Sequence, residues 1–122
     1  MFDHMGFAVA DFQRSKDFYT RALAPLGVTV LKEGDGWAML GKEGAAYLWF
    51  GTYGTPPGHI HMAIAAKTRA EVRAFHAAAL AAGAQDNGPP GIRAQYHDHY
   101  YGAFVIDPNG HNLEAVCHQV EA

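Results

Sequence analysis

His4-Met5-Gly6-Phe7-Ala8-Val9 returns in the second half of the chain as His61-Met62-Ala63-Ile64-Ala65-Ala66. A self-similarity of this kind at a fixed offset marks a structural unit written twice, and it governs how the rest of the chain is read. Both stretches alternate as half-buried strands do. In the first, Met5, Phe7 and Val9 share one face and leave His4, Gly6 and Ala8 on the other. In the second, Met62 and Ile64 take the bulky face, while His61, Ala63 and Ala65 take the small one. The bulky face must meet a helix, so the small face lines an open concavity that begins with a histidine in both copies.

Working outward, each strand runs into a helical pattern. Phe18, Ala22, Leu23 and Ala24 precede Gly27; Phe75, Ala79, Leu80 and Ala81 stand at the same offset and precede Gly83, one residue closer. Asp11 and Thr68 are N-cap candidates, since their side-chain oxygens accept otherwise orphaned amide protons of a first helical turn. Thr68-Arg69-Ala70-Glu71 fits a capping box, and Gly27 and Gly83 suit the left-handed residue that ends a helix. Short β-like runs follow. They are Val28 to Lys32, Gly36 to Leu40 and Tyr47 to Phe50 in the first copy. In the second they are a weak segment near Ala94 to His97, then Tyr101 to Ile106 and Asn112 to Val116. Gly88-Pro89-Pro90-Gly91 reads as a rigid bend. Asp107-Pro108-Asn109-Gly110 is a turn in which Pro presets φ and Gly accepts a positive one. The pattern predicts an α+β chain of two βαβββ modules, 1–52 and 58–122, in a single domain. A Gly- and Pro-rich stretch between Gly51 and His59 joins them.

Composition bounds the function. The chain has 122 residues, of which 49% are hydrophobic and 17% charged. It can therefore bury a core without staples. Net charge is −3 and the nine Lys and Arg residues are scattered. That argues against nucleic acid or a polybasic membrane partner. The single Cys117 excludes an internal disulfide, and no run approaches a membrane span, so a cytoplasmic protein is expected. Eight histidines are more than packing requires.

On the last strand, Leu113 and Ala115 take the core face, turning Asn112, Glu114 and Val116 to the concavity. A carboxylate there is costly unless paired or metal-bound. His4, His61 and Glu114 would place two imidazoles and one carboxylate on one side of a divalent ion, leaving positions open for water, substrate or dioxygen. His59, His76, His111 and His118 are read as structural. In Tyr96-His97-Asp98-His99-Tyr100-Tyr101, the candidates to act as acid, base or substrate contact are His97, His99 and Tyr101. A solvated His-rich loop is the competing reading. Trp37, Tyr47 and Trp49 form either an aromatic wall for a flat substrate or plain core.

Asp3-His4-Met5-Gly6-Phe7-Ala8-Val9-Ala10-Asp11, with Phe18-Tyr19 after it, resembles the opening of the glyoxalase/bleomycin-resistance/dioxygenase (vicinal oxygen chelate) superfamily. The ending from Phe104 through Asp107-Pro108-Asn109-Gly110 to Glu114 resembles its closing hairpin. The resemblance covers essentially the whole chain. It implies a cupped mixed β-sheet with helices on its outer face, a small-molecule substrate and, in many members, a homodimer. It also implies a divalent metal (Zn, Fe, Mn or Ni) held from first and last strands of modules, where His4, His61 and Glu114 stand.

Trp49 aligns with Glu114, where glyoxalase I carries a second carboxylate, and an indole nitrogen only donates. The three-ligand set is closer to extradiol dioxygenases and fosfomycin thiol transferases. Extradiol enzymes usually have more modules. Against the fosfomycin enzymes, Gly6 replaces a hydroxyl, and no convincing set of cationic and hydroxyl residues for a phosphonate is evident. Bleomycin-binding members lack metal, against which His4 and His61 argue. The expected function is a metal-dependent lyase, isomerase or dioxygenase-like enzyme. The alternative is a binding protein that sequesters a small aromatic or antibiotic-like molecule.

Overall fold

A computed structural model describes residues 3–120; the outermost positions of the two modules, 1–2 and 121–122, lie outside the described residues. Module one runs β1 (Met5–Ala8), α1 (Phe12–Leu23), β2 (Thr29–Gly34), β3 (Trp37–Lys42) and β4 (Ala45–Gly51). Module two repeats it as β5 (His61–Ala65), α2 (Arg69–Ala81), β6 (Gln85–Ile92), β7 (Tyr101–Ile106) and β8 (Asn112–Cys117). Each module closes its own four-stranded mixed sheet, in the orders β1-β4-β3-β2 and β5-β8-β7-β6. The first and last strands of each module pair in parallel, and all other neighbours are antiparallel.

The helices start where the caps put them. The Asp11 side chain accepts from Arg14 N at 3.1 Å, and Thr68 accepts from Glu71 N at the same distance. Glu71 reaches back to Lys67 N at 2.9 Å. That is one residue further than a capping box would take it. Gly27 adopts a φ of 80° and Gly83 a φ of 103°. Any Cβ would be strained there. Helix α1 buries Phe12, Ser15, Phe18, Tyr19, Ala22 and Leu23, and α2 buries Val72, Phe75 and Ala79, each set at helical spacing. The helices pack on one another. Phe7, Leu40, Leu48 and Phe50 of one sheet therefore join Met62, Val105, Leu113 and Ala115 of the other in a single core.

The module junction is also polar. Asp107 receives the hydroxyl of buried Tyr19 on one oxygen and the amides of Asn109 and His111, both at 2.8 Å, on the other. Asn109 adds a 3.1 Å bond to Ser15 Oγ of α1, and the rings of Phe7 and His111 meet edge to face at 5.6 Å. Burial, and then the Asp107 carboxylate, push the Tyr19 phenol well above its ordinary value. The Asp-Pro-Asn-Gly turn thus fastens module two to α1.

One expectation needs correction. The segment Ala94 to His97 is not a strand, and Gly88-Pro89-Pro90-Gly91 is not a bend between elements. The prolines lie inside β6, whose register against β7 slips between Asp86 and Gly88 and again between Gly88 and Gly91. β6 is an edge strand. Missing N–H donors break no ladder on its outer side.

Candidate metal centre

In the second sheet, the parallel pairing of β5 with β8 sets Met62 beside Leu113 and Ala63 beside Glu114. Leu113 and Ala115 are buried toward the helices, so Glu114 projects to the opposite side with His61. His61 Nε2 stands 2.7 Å from Glu114 Oε1. The Glu114 side chain is 0% exposed whereas that of His61 is 54% exposed, so the carboxylate forms the floor of the site and the imidazole its rim.

A carboxylate this deep must have partners for both oxygens. The second oxygen accepts the hydroxyl of Tyr100. Burial, then the hydrogen bond and charge of Glu114, raise the Tyr100 phenol far above its usual value, so the hydroxyl remains a donor. Gly102 makes the contact possible. A Cβ there would come within 3.3 Å of Glu114 Oε2 and 3.2 Å of the Tyr100 ring.

His4 lies in the first sheet's equivalent place. Its Nδ1 is 2.7 Å from Asp3 Oδ1, its side chain is 64% exposed, and Nε2 has no bond among the described residues. Around it Gly6, Met39, Tyr47 and Trp49 line a cleft of about 710 Å³. Gly6 pairs with Trp49 just as Ala63 pairs with Glu114, so Trp49 occupies the position of the second module's carboxylate. The Trp49 ring covers Gly6, where a Cβ would sit 3.0 Å from Cε3, and stacks on Tyr53 at 5.9 Å and 15°.

The described chain therefore brings His61 and Glu114 together and holds His4 apart. Among the described residues no three His, Cys, Asp or Glu side chains gather closely enough to hold a metal ion. The pair itself has donor chemistry suited to a divalent ion: one imidazole nitrogen and one carboxylate oxygen, the latter oriented from behind by a tyrosine as outer-shell partners do.

The other candidates fall as follows. Tyr101 faces the helix side, with Arg69 and Arg73 of α2 over its ring at 5.1 and 5.9 Å. The phenol that reaches Glu114 belongs to its neighbour Tyr100. Strand alternation carried that signal: Tyr100, Gly102 and Phe104 share the face opposite to Tyr101 and Ala103. His97 and His99 occupy the exposed loop before β7, joined by a 3.2 Å bond from His99 N to His97 Nδ1. His97 meets the His118 ring at 5.6 Å, and His118 meets Tyr100 at 5.3 Å, so His97 stands two rings removed from the Glu114 contact. Trp37, the third member of the aromatic wall, packs its Cβ against Gly51 at the far end of β3. His76 pairs with Asp86 at 3.0 Å. The Asp86 carboxyl is held below its ordinary value, first by the Gly88 amide and then by His76.

Comparison with known proteins bears on the family and the fold. The family model described as Glyoxalase/Bleomycin resistance protein/Dioxygenase superfamily matches residues 1–115. A glyoxalase/bleomycin resistance protein from Albidiferax ferrireducens T118 superposes with a TM-score of 0.83 at 28% identity, covering 95% of this chain and 98% of that one. An enzyme of the glyoxalase/bleomycin resistance protein/dioxygenase family from Burkholderia phytofirmans PsJN has a TM-score of 0.73 at 15% identity, with 96% and 98% covered. A glyoxalase-related enzyme from Fulvimarina pelagi has a TM-score of 0.71 at 19% identity, with 96% and 87% covered. The last two similarities speak for the fold alone. No curated protein matches this sequence.

Proposed function

The chain belongs to the glyoxalase/bleomycin resistance protein/dioxygenase superfamily, and we propose that it is a metal-dependent enzyme acting on a small molecule through two neighbouring oxygens. His61, Glu114 and the His4 of a second copy would be its ligands. The observation that carries this reading is the buried Glu114 carboxylate, floored by Tyr100 and in contact with the half-exposed His61. When bound, the metal supplies a Lewis acid with open positions that polarises a chelated substrate. His61 and Glu114 would hold the ion from adjacent strands, and Tyr100 would keep the carboxylate oriented. Asp3 fixes the His4 ring so that Nε2 is presented outward. His97 and His99, in the exposed loop before β7, are the candidates for acid, base or substrate contact. The reaction is of the lyase, isomerase or dioxygenase kind.

A site shared between copies is supported by the placement of its parts. His4 and the His61–Glu114 pair stand on different sheets of one chain, and no third ligand reaches the pair among the described residues. Symmetric pairing of two copies would set one chain's first sheet against the other's second. Subunit complementation tests this. His4→Ala and His61→Ala proteins should each carry less bound metal than the native protein by elemental analysis. Unfolding and refolding them together should restore it in the mixed dimers, which contain one intact site. Metal retained by both single variants removes the metal reading, and failure of the mixture to recover removes the shared site.

One observation favours a second reading, a small-molecule-binding protein without turnover. The stacked Trp49–Tyr53 pair beside the open cleft is a surface suited to a flat ring. Ligand binding that persists unchanged in metal-stripped protein would select it.

A further inference from the structure

Arg93 follows β6 and folds back over the concave face of the second sheet. Its guanidinium carbon lies 5.3 Å from the centroid of the Phe104 ring. Phe104 pairs with Glu114 across β7 and β8 and so shares its face, and the His61 ring meets Phe104 at 6.1 Å. Guanidinium and imidazole thus both meet one buried phenyl.

The position of the guanidinium is built. Nη1 donates to Gly91 O at 2.9 Å and Nη2 to Pro89 O at 2.7 Å. Gly88 and Gly91 clear the space, because a Cβ at either would approach the Arg93 nitrogens to 3.1 and 3.2 Å. The slipped register of β6 places both carbonyls within reach. An arginine has five N–H donors, so among the described residues Nε and one hydrogen on each Nη take no further partner. Among the described residues no carboxylate forms an ion pair with Arg93. A charge held flat by two carbonyls and a ring, and paired with no described carboxylate, has lost its conformational freedom before any ligand arrives.

Resting on the metal-site reading above, we propose that Arg93 selects the substrate class: a small carboxylate-bearing molecule. A second, distal carboxylate pairs with Arg93, and the molecule's vicinal oxygens would be left for the metal held by His61 and Glu114. A planar carboxylate matches the two-pronged edge of a guanidinium. With a divalent ion on His61 and Glu114, the cup carries excess positive charge that an anionic ligand neutralises.

Malate and its 4-amide are the probes, since they share a hydroxy-acid head and differ only in the distal charge. Their dissociation constants are measured by calorimetry on full-length protein, both Mn-loaded and metal-stripped. Malate should bind roughly 10–100-fold more tightly than the amide, the span of a charged hydrogen-bonded pair. Arg93→Gln should abolish that preference without changing metal stoichiometry, and Arg93→Lys should keep part of it. The lysine variant preserves the charge over Phe104 and guards against a folding defect in the glutamine variant. Equal binding of the two probes by the native protein, a preference that survives Arg93→Gln, or no malate binding at millimolar concentration would each overturn the assignment. Metal stoichiometry is read separately. A protein without metal whose stripped form still shows the Arg93-dependent preference loses the metal reading and keeps the arginine one.

Discussion

The two modules share a strand order, a pairing pattern and a histidine at the head of the first strand, yet they differ in what faces that histidine. In module two the adjacent last strand offers Glu114, with Tyr100 behind it and Gly102 making room. In module one the equivalent position holds Trp49, which covers Gly6 and stacks on Tyr53. One copy carries a histidine–carboxylate pair and the other a single histidine beside an aromatic wall. Duplication of a fold thus duplicates positions, not chemistry; a side chain at one register point decides what each copy can do.

The asymmetry breaks most completely at Glu114. Glu114→Ala should drop bound metal to background, measured after dialysis against buffered metal, because module two then offers only a histidine, as module one does. His4→Ala, which leaves the pair intact, should retain weak binding in the same assay. Equal losses would mean that the modules contribute alike. Behind the ligands, Tyr100→Phe should cost about 10–100-fold in metal affinity by competition with a chelator, the usual effect of losing an outer-shell partner. An unchanged affinity would make Tyr100 a passive cover.

The smallest of these effects concerns the fastening between modules. Tyr19→Phe removes a buried bond to Asp107 and should lower stability by about 1–3 kcal/mol in denaturant titration, with the metal site unaffected. The sign of its pH dependence follows from the raised phenol. Its contribution is fully present below the ordinary tyrosine value near 10 and is lost as pH rises through the higher folded-state value. Stability of the native protein should therefore fall on the alkaline side more steeply than that of the Tyr19→Phe variant; parallel curves would contradict the assignment.

Much of the fold could be read along the chain because its signals are local. Caps at Asp11 and Thr68, the glycines Gly27 and Gly83 and the alternation of β1 and β5 act over a few residues, and each stands where the pattern puts it. β6 escaped because its prolines argue against a strand, and only its edge position makes them tolerable. Residue type does not separate Tyr101 from its neighbour Tyr100; the face each takes depends on the register of β7 against β8. Arg93 looked like one scattered cation among nine, since nothing local says that two carbonyls and Phe104 will hold it over the sheet.

Periodicity and repeat, which are properties of neighbours in sequence, determined that there are two βαβββ modules and that His4, His61 and Glu114 belong to small-residue faces. Distance in space was decided only by the packing of α1 against α2 and by strand pairing. That packing gathers the bulky faces of both sheets into one core and sends the small faces outward. It therefore leaves His61 and Glu114 in contact and His4 on another sheet. Local pattern settles which face a side chain takes; which other faces it meets depends on every long-range contact at once.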